Sequence, residues 1–141
     1  MKWFKVLVFT VMCILFGAIG ACGADWYKAD RASFAWEAPV TYYDGTPLPS
    51  GLTFVYEVYT KTHPGGVELA HGTVTTESAT VVINEGEKVY VGASAAYIDA
   101  DGVQSDFSET AWSDNPADCL DVVFGFHNLK RPGKPRNKRR N

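Results

Sequence analysis

The chain has 141 residues, 46% hydrophobic and 21% charged, which is apolar enough for one core and too short for a second folded unit. Its formal charge of −3 conceals a division. Seven of the thirteen basic residues lie in the last twelve positions, Lys2 and Lys5 lie in the first five, and the stretch between holds four basic residues and all sixteen acidic ones. The sequence therefore describes an acidic body of −12 with a basic arm of +7.

Residues 1–5 carry two positive charges, and residues 6–21 (VLVFTVMCILFGAIGA) form an apolar stretch ending in small residues. That is the layout of a secretory signal, with a basic start, an apolar centre and a small-residue cleavage zone. The run is shorter than the roughly 20 residues of a spanning helix, so a permanent transmembrane anchor is the weaker reading. Ile19-Gly20-Ala21-Cys22 resembles the lipobox of bacterial lipoproteins. The resemblance implies a signal peptide over 1–21, diacylglycerol on Cys22, and a membrane-anchored protein of the cell envelope. Two or three acyl chains hold durably where one binds marginally. Gly23, where an acidic residue would retain such a protein at the inner membrane, implies that this one is not retained there. The alternative is ordinary cleavage after Ala24, giving a periplasmic or secreted chain.

Residues 22–28 read as a linker with a reach of roughly 25 Å. From 29 onward the pattern is short alternating runs broken by turn residues, with no amphipathic helix between them. ASFAWEA (32–38) alternates and stops at Pro39. TYYDGTPLPSG (41–51) is a loop, and LTFVYEVYTK (52–61) is dense in β-branched and aromatic residues. HPGG (63–66) turns the chain, VELAHGTVTT continues in short extended pieces, and SATVVIN (78–84) is a further strand. KVYVGASAAYI (88–98) sends Val89, Val91, Ala93 and Ala95 to the core, DADG (99–102) turns, and QSDFSETAWS closes the set. Six or seven strands at this spacing predict an all-β, antiparallel immunoglobulin-like sandwich. Trp36, Phe54, Tyr56, Val58, Val81 and Ile83 are assigned to its core and to no function.

W-E-A-P at 36–39, D-G-T-P-L at 44–48, Y-E-V-Y at 56–59, E-G-E-K-V at 85–89 and D-G-V-Q-S-D-F-S-E at 101–109 resemble a bacterial fibronectin type III domain over about residues 29–114. The resemblance implies that Trp36 is core, that Tyr56 packs on it, and that the G-x-x-S-x-x-S-like run leads into the last strand. One position departs from the family. Its tyrosine six residues beyond the fifth strand would fall on Val89, with Tyr90 one place late. Either that tyrosine corner is absent or the strand slips by one residue, which would reverse its faces.

No catalytic, cofactor or metal motif appears, and the chain reads as a non-enzyme. G-x-S-x-G, H-E-x-x-H and a phosphate-binding glycine loop are missing. Asp99-Ala100-Asp101-Gly102 lacks the later ligands of a calcium loop, so a turn suffices. His63 and His71 flank a turn, which is weak support for a metal. Two candidate binding features remain. Tyr42 and Tyr43 share a loop of the kind that binding surfaces use, although folding back over the core edge explains them equally well. The tail, 130–141, follows an apolar extension at 115–129. Its charges Lys130, Arg131, Lys134, Arg136, Lys138, Arg139 and Arg140 suit an anionic polymer, and its composition predicts disorder. For an exported chain an anionic envelope polymer ranks above nucleic acid. Cys119 has no second free cysteine in a processed chain, so it is a buried thiol or part of an intermolecular disulfide, and its apolar neighbours favour burial.

The functional expectation is a non-catalytic, envelope-anchored module that contacts a protein or glycan partner. The alternatives are an anionic-polymer or nucleic-acid binder acting through its tail, and an accessory protein of a carbohydrate-active or phage-encoded system.

Overall fold

The computed structural model describes residues 24–136 and 139–140. The expected signal peptide, Cys22 and Lys138 lie outside the described residues. Among the described residues there are eight strands: β1 (Asp25–Lys28), β2 (Arg31–Ala35), β3 (Thr53–Lys61), β4 (Leu69–Val74), β5 (Ser78–Val82), β6 (Lys88–Ile98), β7 (Ala111–Trp112) and β8 (Phe124–His127). A single 3₁₀ turn at Pro116–Asp118 accompanies them.

The protein is an all-β sandwich. One sheet runs β1-β8-β6-β3-β4 with β7 also on β6, and the other pairs β2 with β5. The alternation predicted for β6 places Val89, Val91, Ala93 and Ala95 in the core. Trp36 is 3% exposed and meets the fully buried Tyr56 edge-on at 5.2 Å. Burial, Glu77 and, in opposition, the Trp36 indole act on the Tyr56 hydroxyl, whose pKa is pushed up to about 12. The serines of the G-x-x-S-x-x-S-like run fasten their segment to β6. Tyr97 N–H donates to Ser105 Oγ and Ala95 N–H to Ser108 Oγ, both at 3.0 Å. The tyrosine corner is absent and the strand has not slipped. Val89 is buried, whereas Tyr90 lies on the outer face against Trp26, with ring centroids 5.0 Å apart.

Two expectations are revised. Residues 25–28, read as linker, form β1, because Trp26 and Tyr27 bury against β8 and Tyr90 once the strand pairs in parallel with Phe124–His127. Residues 115–129, read as an apolar extension, contain β8, which continues the edge of β6 begun by β7. The last strand is thus split by an excursion. It leaves at Ser113, whose N–H donates to Val91 O at 2.9 Å, and returns where Phe124 N–H donates to Ser113 O at 2.9 Å.

The outer face of the large sheet explains two glycines. Gly92 has Tyr59 opposite it on β3 and Trp112 opposite it on β7, and those rings meet at 6.4 Å across it. A Cβ on Gly92 would stand 2.7 Å from the Trp112 ring, and one on Gly125 would stand 2.5 Å from Trp26. In both places the missing side chain is the space an aromatic ring occupies. Gly92→Ala is expected to cost about 1–3 kcal/mol through this overpacking. Chemical denaturation checks it, and an unchanged midpoint would show that the ring can move aside freely.

Candidate functional site

The two expected binding features stand at opposite ends of the sandwich. At one end residues 40–48 form a small hairpin. Leu48 N–H donates to Val40 O, Tyr42 N–H to Thr46 O, and Gly45 takes φ 86° in the turn, a conformation that favours glycine. Asp44 Oδ1 accepts from Thr46 Oγ1 at 2.6 Å and from Thr46 N–H at 3.0 Å. These bonds, the hydroxyl's first, hold the Asp44 carboxyl below its ordinary pKa.

The hairpin separates the two tyrosines that the sequence sets side by side. Tyr42 folds back and meets Tyr97 edge-on at 5.8 Å, whereas Tyr43 is 91% exposed at the tip. At the base of the hairpin runs a shallow, mostly apolar groove of about 270 Å³, lined by Pro39, Val40, Leu48, Pro49, Leu52 and Phe54. The turn at 99–102 adjoins it through the pairing of Thr53 with Ile98. That turn is built on Asp99, whose Oδ1 accepts the N–H groups of Asp101 and Val103 at 2.9 Å, as a plain turn requires.

The tail leaves from the other end. Asn128 is locked to the β5–β6 turn, donating from its N–H to Glu87 O and from Nδ2 to Ile83 O, and accepting at its O from Gly86 N–H. Beyond it Lys130 makes a solvent-exposed pair with Glu85 at 3.5 Å. Arg131, Lys134, Arg136, Arg139 and Arg140 are exposed and lie outside any strand or helix. The histidines do not converge. His71 Nε2 is hydrogen-bonded to Thr60 Oγ1 at 2.6 Å, and His63 Nδ1 to Thr62 Oγ1 at 3.0 Å. Among the described residues no three His, Cys, Asp or Glu side chains are grouped to hold a metal ion, and no helix is long and apolar enough to cross a membrane.

A third cluster escaped the sequence reading. Lys61, closing β3, pairs with Asp114 at 3.1 Å, the two side chains being 9% and 12% exposed, and its Nζ lies 4.1 Å from the centre of the Trp112 ring. Asp118 is 1% exposed and accepts the Trp112 N–H at 3.0 Å. Cys119 follows, with its thiol against Ser113 O at 3.4 Å. The available signal was a lysine ending an aromatic strand and two aspartates flanking a turn. Nothing in their spacing places residues 61 and 114 together.

No family model matches the sequence, and no curated protein matches it. The solution structure of the fibronectin type-III domain of human fibronectin type III domain containing protein 3 is similar at 19% identity. That similarity covers 68% of this chain and 89% of that one, with a TM-score of 0.33.

Desolvation, then the charges of Asp118 and Asp114, push the Cys119 pKa up to about 11. The folded thiol therefore stays protonated at pH 8, where an unfolded one near 9 is partly thiolate. Iodoacetamide should label the native protein much more slowly than the denatured one, with the native rate climbing only as the pH approaches 11. Equal rates at pH 8 would contradict the burial.

Proposed function

We propose that this protein is a non-catalytic binding module held at the cell envelope by lipid on Cys22, with its basic tail reaching away from the anchor to an anionic envelope polymer. The observation that carries this reading is the placement of the two ends. β1 begins at Asp25, so only Gly23 and Ala24 separate it from Cys22, a reach on the order of 10 Å. β1 and β8 run in parallel, and the tail departs from the far end of β8.

This arrangement also selects what sits beside the anchor. Asp25 N–H donates to Val123 O, so the 114–123 excursion adjoins the start of β1. Its Leu120 and Val122 are 58% and 50% exposed and suit contact with the bilayer interface. The hairpin bearing Tyr43 lies beyond the start of β1, on the anchor's side of the domain, so it faces the bilayer and is disfavoured for a distant protein or glycan partner.

Intact-mass measurement of the membrane fraction, next to a Cys22→Ser variant, tests the anchor. The expected result is an acylated mass that disappears in the variant, whereas cleavage after Ala24 in both would refute lipidation.

The tail is tested separately, with the protein titrated against an anionic glycopolymer and against duplex DNA over a salt series. Affinity for the glycopolymer should fall steeply with salt and vanish on truncation after Leu129. For DNA the logarithmic slope is about −0.9 per phosphate neutralised, and tighter binding to DNA would favour the nucleic-acid reading. Salt-insensitive binding to both would remove the tail from the function.

A further inference from the structure

We propose that Lys61 and Asp114 are joined by an intramolecular isopeptide bond, formed between the Lys61 Nζ and the Asp114 carboxyl carbon. The two groups already stand at 3.1 Å, each about nine-tenths withdrawn from solvent, with the amine lying over the face of Trp112. Burying an ammonium and a carboxylate is costly even when they are paired. Condensation removes both charges and keeps the link.

The step balances within the chain. Proton transfer inside the pair gives a neutral amine and a neutral carboxylic acid. The nitrogen lone pair attacks the carboxyl carbon, and the tetrahedral adduct expels its hydroxyl with a proton from nitrogen as one water molecule. The ammonium and carboxylate thus become an amide plus water, with no oxidant, reductant or activated co-reactant.

The surroundings suit that chemistry. Asp118, 1% exposed, accepts the Trp112 N–H and so fixes the backbone of the residue whose ring underlies the amine. The neighbours that face the pair are the Tyr90 phenol, opposite Lys61 on β6, and the Cys119 thiol. Burial first, and then nearby carboxylates that include Asp114, push the pKa of both groups up. The strands being tied are not neighbours, since β6 lies between β3 and β7. The bond would cross the strand at the centre of the large sheet and fasten the point where the excursion leaves it.

Tryptic peptide mapping of the full chain by mass spectrometry, run beside a Lys61→Arg variant shown to be folded by circular dichroism, tests the proposal. The expected result is a branched peptide uncleaved at Lys61, containing Asp114 and lighter by one water than the sum of its two parts, and absent from the variant. Loss of water alone does not suffice, because Asp44-Gly45 and Asp101-Gly102 can dehydrate to succinimides. Water loss confined to those positions, or free peptides ending at Lys61 with none linked, would overturn the proposal and leave an ordinary ion pair.

Discussion

On the outer face of the large sheet, aromatic rings from flanking strands close over the backbone of a glycine, and this happens twice. Tyr59 and Trp112 meet over Gly92, and Trp26 reaches across Gly125 to Tyr90. Each tryptophan is capped by a lysine ammonium 4.1 Å from its ring centre, Lys61 on Trp112 and Lys88 on Trp26. The rings bury a face that sandwiches often leave wet, and the lysine stems and charges finish the burial. Strand β6 follows from this arrangement. Covered on both sides, it carries small residues outward at Gly92, Ser94 and Ala96, and all three are buried.

The split of the last strand depends on the same rings. Trp112 needs its N–H satisfied and its outer face covered, and the excursion supplies Asp118 for the first and delivers Asp114 to Lys61 for the second. Ser113 closes the loop, its amide and hydroxyl on Val91 and its carbonyl on Phe124. Residues 114–123 thus behave as a built insertion, with their polar groups serving the aromatic layer beneath. The cost of departing from a continuous strand is offset by β8, which resumes the pairing and gives β1 an edge to bind.

The core was legible because its signal is local. Alternation in residues 88–98 and the Trp36 and Tyr56 positions carry their facing in the sequence, and the serine spacing after Gly102 marks a segment tied to β6. The extra edge strands were not legible. DWYK and FGFH are four residues each, too short to show a period, and their pairing joins positions about a hundred residues apart. The loop tyrosines illustrate a finer limit. Adjacent in sequence, Tyr42 and Tyr43 point opposite ways because a hairpin alternates its side chains, and only the turn fixed by Asp44 and Gly45 decides which one faces water. The Lys61–Asp114 pair is invisible for the same reason as β8, since it exists only after the excursion has folded.

The parallel pairing of β1 with β8 has a mechanical consequence. Strand β1 is entered at one end of the pair and β8 is left at the other, so tension applied between the chain before β1 and the chain after β8 runs along the ladder. Its bonds are then loaded together in shear and do not open one at a time as in a zipper. A short four-residue contact can therefore act as a force-bearing clasp, protecting the sandwich when its two ends are pulled apart.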